Sequence, residues 1–249
     1  MQNISDKLIV ALDVDNLAKA KKLVDTLFPT VKIFKVGSQL FTAVGPEAVK
    51  MIGEKGARVF LDLKFHDIPN TVFSGVASGT GMSCEMISIK TEVKNYAVSW
   101  PVFMMTVHID LQDNREMLIK AAEGAEKKAK ELRRDKPFIV GVTVLTSGSN
   151  DEDTLRIVLE KARLAKEAGL DGIVCSTYEV AQVRKELGKE FIIVTPGIRP
   201  KGAEKNDQKR TATAQEAIAA GADYIVVGRP IIEAKDPLKV TENILAEIK

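Results

Sequence analysis

Short apolar runs alternate along this chain with longer amphipathic segments, and the alternation recurs from end to end. Residues 7–13 (KLIVALD), 32–37 (KIFKVG) and 58–64 (RVFLDLK) read as strands. Helical spacing of apolar positions fills 17–27 and 46–55, the latter opened by Pro46 and closed by Gly56. Further strands are predicted at 102–108, 138–144, 172–176, 191–195 and 224–228. Helices are predicted from 71 to about 77 and over 115–134, 151–168, 179–187, 213–220 and 238–248. The stretch 78–101 holds more chain than one crossover helix needs and reads as an irregular excursion or an extra element.

Strands separated by helices imply a parallel sheet with right-handed crossovers. Eight such units within 249 residues favour closure into a (β/α)8 TIM barrel, one α/β domain spanning 1–249. No G-x-G-x-x-G run follows the first strand, which argues against a dinucleotide fold. Chemistry in a barrel sits at the C-terminal strand ends. The polar residues predicted there are Asp13, Lys35, Asp62, Lys64, His108, Thr146, Arg199 and Arg229.

The run Asp62-Leu63-Lys64-Phe65-His66-Asp67 carries the most chemical information. Strand alternation puts Asp62 and Lys64 on one face and Leu61, Leu63 and Phe65 on the other, where they can pack under helices. Charges inside a fold are costly unless paired, so the set looks like a prearranged charged site. The plain alternative is a solvated edge strand, which the third of eight strands is poorly placed to be. Pro69 should stop the ladder and Asn70 cap a new helix. Lys35 has the parity to point inward beside Asp62, or else is a surface lysine.

Thr195-Pro196-Gly197-Ile198-Arg199-Pro200 follows the seventh predicted strand and Gly228-Arg229 closes the eighth. Loops after these two strands often bind phosphate, and an arginine adds a bidentate clamp. Ordinary turns rich in Gly and Pro are the alternative. The polar segment 201–210 is either a solvated connection or a lid with Gln208 as a donor. His66 and His108, the only histidines, lack ligand spacing, so no metal site is expected.

Composition changes little. Apolar residues make up 45% and charged residues 28%, and a net charge of +2 gives no support for nucleic-acid or membrane binding. Cys84 and Cys175 lie far apart, which fits a reduced, cytoplasmic setting. Neither a secretory signal nor a stretch of roughly 20 apolar residues is apparent.

The segments LIVALDVD, FKVG, FLDLKFHDIPNT, TVLTS, TPGIRP, DQKR and YIVVGRPI, in this order, resemble the orotidine 5'-monophosphate decarboxylase family. The resemblance runs from about residue 6 to the C-terminal helix. It implies a homodimer that converts orotidine 5'-monophosphate to uridine 5'-monophosphate and carbon dioxide, with no metal and no organic cofactor. By position, Asp13 and Lys35 would contact the nucleoside, with Lys35 linking the charged network. Asp62 would face the substrate carboxylate and Lys64 would protonate the ring carbon. Asp67 and Thr71 would reach the partner's site, and Thr146 the base. Arg199, Gln208, Gly228 and Arg229 would hold the base side and the phosphate, with Arg229 on the phosphate. Two segments depart from the pattern: Ile109-Asp110-Leu111-Gln112-Asp113, where the family has small residues, and the long stretch 78–101. Metal-dependent sugar-phosphate barrels of the hexulose-phosphate synthase type share an Asp-x-Lys-x-x-Asp run and form the alternative, with a catalytically silent nucleotide-binding barrel as a third reading.

Overall fold

The computed structural model describes residues 4–90, 93–112, 115–144, 152–200 and 210–248. A 3-10 turn, Ile4–Lys7, leads into strand β1 (Leu8–Ala11) and helix α1 (Leu17–Leu27). Strand β2 (Ile33–Gly37) is followed by α2 (Ser38–Val44) and α3 (Glu47–Glu54), then β3 (Arg58–Phe65) and α4 (Pro69–Thr80). Strands β4 (Cys84–Lys90) and β5 (Val93–Ser99) form an antiparallel hairpin. The chain continues through β6 (Val102–His108), α5 (Arg115–Leu132), β7 (Phe138–Val142), α6 (Glu152–Glu167), β8 (Gly172–Val174) and α7 (Thr177–Leu187). It ends with β9 (Ile192–Thr195), α8 (Ala214–Ala220), β10 (Tyr224–Val227), α9 (Arg229–Ile232) and α10 (Pro237–Glu247).

All strands except the hairpin close into a parallel barrel in the order β1-β10-β9-β8-β7-β6-β3-β2. Strand alternation sorts the apolar residues into two layers. Phe34, Val36, Leu61, Met105 and Val107 pack outward with the helices. Ile9, Ile33, Phe60, Met104, Val140 and Val226 fill the barrel interior. A strand buried on both faces needs apolar residues at both parities, which is why the sequence shows continuous runs rather than alternation.

Two corners use one device. Asp171 accepts from the Ile139 amide (2.7 Å) and from Lys136 Nζ (2.6 Å), while its own amide donates to Ile139 O. Asp223 accepts from the Ile193 amide (2.8 Å) and from Arg184 Nη2 (2.6 Å), while its amide donates to Ile193 O. Each aspartate stands just before a strand and grips the bottom of the preceding one, so Gly-Leu-Asp-Gly-Ile-Val and Gly-Ala-Asp-Tyr-Ile-Val set strand register.

The sequence placed the barrel strands to within a residue or two, and the differences have local causes. Helices α2 and α9 were not anticipated; both are short and follow their strands without an intervening loop. Helix α4 begins at Pro69, earlier than expected, because proline at the first helical position presets φ; Asn70 lies inside the helix and does not cap it. The stretch 78–101 contains the hairpin. Cys84 and Pro101 lie against Gly53, and Pro101 O accepts from the Val59 amide. These contacts put the hairpin at the N-terminal end of β3 and β6, opposite the barrel mouth.

Helices α4 and α5 approach closely at Gly124, where an added Cβ would lie 2.5 Å from the backbone oxygen of Phe73. A backbone oxygen cannot swing aside, so Gly124→Ala is expected to destabilise the fold by about 1–3 kcal/mol. Urea denaturation of the variant beside its parent checks this; equal midpoints would show that the helices slide apart without cost.

Candidate active site

The mouth of the barrel gathers an alternating chain of charges. Ile33, Lys35 and Gly37 share the inward parity of β2, and the register sets Gly37 beside Asp62 of β3. Lys35 Nζ donates to Asp13 Oδ1 at 2.8 Å and lies 3.5 Å from Asp62 Oδ2. Lys64 Nζ donates to Asp62 Oδ1 at 2.9 Å. The order Asp13–Lys35–Asp62–Lys64 leaves no like charges adjacent. Lys35 and Asp62 are buried, and each ammonium and carboxylate there has an opposite partner, as a buried charge requires. Gly37 makes room for this: a Cβ there would stand 2.8 Å from Lys35 Nζ.

Burial is the largest influence on Lys35 and works against its charge, but Asp62 and Asp13 outweigh it and hold the ammonium pKa above the ordinary lysine value. Burial likewise pushes the Asp62 carboxyl up. Lys35 and Lys64, with hydrogen bonds from Lys64 and Thr106, bring it below the ordinary aspartate value. Both groups are therefore charged across neutral pH.

Lys64 adopts φ 51°, a left-handed conformation that costs a non-glycine residue roughly 1–2 kcal/mol. It coincides with an irregularity in the β3–β6 pairing between Leu61 and Phe65. The Thr106 hydroxyl holds it there: it accepts from the Lys64 amide (2.8 Å) and donates to Asp62 Oδ1 (3.0 Å). Sequence reading passed over Thr106. Its parity was the available signal, since it lies between inward Met104 and His108 on β6.

Two recesses meet at Lys35. The deeper one has Phe60, Val142, Val174, Cys175 and Pro196 for walls, with Asp62 and Lys64 at its charged side. Burial pushes the Cys175 thiol up to about 12, so it is a neutral wall group rather than a nucleophile. The second recess is polar and lined by Asp13, Gly197, Arg199, Gly228 and Arg229. Two arginines with no more than one carboxylate between them suit an anion. Asp67 and Thr71, by contrast, are exposed; Asp67 Oδ1 accepts from the Ile68 amide, and neither residue lines either recess. Thr146 and Gln208 lie outside the described residues.

His66 and His108 meet edge to face with ring centroids 5.2 Å apart. Burial, then Lys161 and His66, push the His108 imidazole below the ordinary histidine value, with Asp110 opposing. Among the described residues no three His, Cys, Asp or Glu side chains are grouped to hold a metal. No helix among them is long and apolar enough to cross a membrane.

The family model described as orotidine 5'-phosphate decarboxylase / HUMPS matches residues 6–244. The chain is 42% identical over 253 aligned residues to an orotidine 5'-phosphate decarboxylase of Moorella thermoacetica, covering 98% of this chain and 92% of that one. It is 43% identical to one of Vibrio cholerae, with 96% of each chain covered. The crystal structure of orotidine 5'-phosphate decarboxylase from Lactobacillus acidophilus superposes with a TM-score of 0.78 at 32% identity, covering 98% of this chain and 99% of that one.

The buried charges also make stability depend on pH. A depressed Asp62 pKa contributes stability above the ordinary carboxylate value, and this is lost as pH falls through the lowered one. The raised Lys35 pKa contributes below the ordinary amine value and is lost as pH rises through the higher one. Asp62→Asn, which leaves Lys35 short of one partner, is expected to cost about 3 kcal/mol at pH 7. That difference should narrow only below pH ~4. Denaturant titrations from acid to neutral pH check it; a constant difference down to the acid limit would show that Asp62 is not the titrating group.

Proposed function

The chain belongs to the orotidine 5'-phosphate decarboxylase / HUMPS family, and from that premise we propose that it converts orotidine 5'-monophosphate to uridine 5'-monophosphate and carbon dioxide in pyrimidine synthesis. One observation carries the reading: Lys64 is held by Asp62 at 2.9 Å, inside a recess whose remaining walls, apart from Lys35, are apolar.

Heterolysis of the bond between the ring carbon and its carboxylate leaves an electron pair in the plane of the ring, out of reach of the π system. A fixed ammonium is the group that stabilises such a pair. Lys64 then transfers a proton to the carbon, closing the product C–H bond and leaving a neutral amine that solvent reprotonates. Asp62 keeps Lys64 aimed, and Lys35 keeps Asp62 ionised by an opposite charge on its other oxygen. The apolar walls make the charges count for more by excluding water. Asp13 and Lys35 meet the ribose, and Arg199 and Arg229 grip the phosphate in the adjoining recess. Thr146 and Gln208 retain their expected roles at the base and phosphate.

The metal-dependent alternative fits the donor set less well. Both Asp62 oxygens face ammonium groups, so a divalent cation there would have to displace a lysine. No exchangeable metal and no organic cofactor is needed for the steps above.

We also propose a homodimer in which Asp67 and Thr71 act in the partner's site. Both stand on the rim and away from their own recess. Beside them Ile68 is 67% exposed, and Leu111 on the neighbouring rim segment is 40% exposed; a second copy would bury both. A cytoplasmic location suits this role and the two thiols.

The purified chain is expected to consume orotidine 5'-monophosphate, followed by its ultraviolet absorbance, with a chelator present. Lys64→Ala should lower the rate by at least about 10³-fold while the barrel stays folded; a near-normal rate would remove Lys64 as proton donor. For the shared site, mixing inactive Asp67→Ala and Lys64→Ala subunits should restore part of the activity. A verified mixed dimer that stays inactive would count against it.

A further inference from the structure

One buried ion pair plays no part in the chemistry above. Glu179, in the first turn of α7, pairs with Arg210, and each residue is only 2% exposed. The other Glu179 oxygen accepts from the Ser176 amide at 3.1 Å, so the carboxylate is oriented by the helix start itself. The Tyr178 ring centroid is 5.9 Å from the Arg210 guanidinium carbon.

Arg210 opens the short segment that returns to the wall of the site. Ala212 pairs with Ile198 in a parallel bridge. Ala212 O accepts from the Arg199 amide at 2.9 Å, and its amide donates to Gly197 O at 3.4 Å. Thr213 then caps α8, where its hydroxyl accepts from the Glu216 amide. The segment 210–213 is thus fixed at one end by the ion pair and at the other by a helix cap. Between those two anchors it holds the backbone of Gly197 and Arg199, which line the polar recess.

An apolar pair of similar volume would serve stability as well or better than a buried ion pair. What this ionic pair adds is a fixed direction, because one Glu179 oxygen stays on the Ser176 amide and leaves the other to meet the Arg210 guanidinium. Resting on the decarboxylase reading, we propose that Arg210 and Glu179 are positioning residues: they hold the Pro196–Arg199 wall at the distance needed to grip the substrate's phosphate. They touch no substrate themselves and act through Ala212.

Small displacements of a binding wall cost up to about 100-fold in enzymes. The full chain and its Glu179→Gln variant should therefore be compared by kcat and KM for orotidine 5'-monophosphate, and by inhibition constants for uridine monophosphate and uridine. The variant is expected to bind uridine monophosphate about 10- to 100-fold more weakly, with KM rising in step. Uridine, which has no phosphate, should lose much less. Arg210→Lys, which keeps the charge without the planar fork, should fall between parent and Glu179→Gln. A variant with lower Tm but an unchanged ratio of the two inhibition constants would make the pair purely structural and overturn the proposal. If Glu179→Gln does not fold, the neutral pair Glu179→Gln/Arg210→Met is read by the same ratio and decides in the same way. Parent turnover separates the two failures. An inactive parent sinks the decarboxylase reading and this one with it; an active parent with an unchanged ratio sinks this one alone.

Discussion

The buried carboxylate of Asp62, held between the ammonium groups of Lys35 and Lys64, is the interaction from which the rest of the site follows. A lone carboxylate at that depth would take up a proton, and a lone lysine would give one up. Together they remain charged, and the directions of both shifted pKa values show opposite charge prevailing over burial. Asp13 extends the chain toward solvent, so the buried part is tied to a half-exposed end.

Such an arrangement needs a scaffold that delivers side chains from separate strands to one point. The closed barrel does this because inward residues of neighbouring strands fall into layers. Lys35 comes from β2, Asp62 and Lys64 from β3, and Thr106 from β6, three strands adjacent in the barrel. Regular pleating alone does not complete the set. Lys64 sits in a left-handed backbone conformation at an irregular step in the ladder, and Thr106 binds both its amide and the Asp62 carboxylate. Strain of this kind persists only where the surroundings over-determine it. Here a threonine hydroxyl and a carboxylate do so, and the ammonium is aimed as a consequence.

Most of the barrel was legible in the sequence because strands buried on both faces leave unbroken apolar runs between amphipathic helices. Asp62, Lys64 and Lys35 were legible because charges at the inward parity of such runs have no structural reason to be there. Thr106 was not, since a threonine in a strand is ordinary and its value depends on what faces it across β3. Arg210 and Glu179 were missed for another reason. They lie 31 residues apart in a polar loop and a charged helix, where each reads as a solvated residue until the fold buries both. The hairpin of residues 84–99 defeated the expected strand–helix rhythm, but it sits at the closed end of the barrel and leaves the mouth unaltered.

Lys35 and Pro196 each line both recesses, which makes the two halves of the site one mechanical unit. A group bound between Arg199 and Arg229 would lie beside Pro196, just past β9, which also walls the apolar recess around Lys64. Binding energy gained at the polar end can thus be spent on alignment at the reacting end, the condition under which remote contacts raise kcat as well as affinity. On this view the ion pair behind β9 and the charge chain in front of it answer the same demand. On the decarboxylase reading, one would fix the wall and the other the ammonium, and the proposed reaction would need the distance between them.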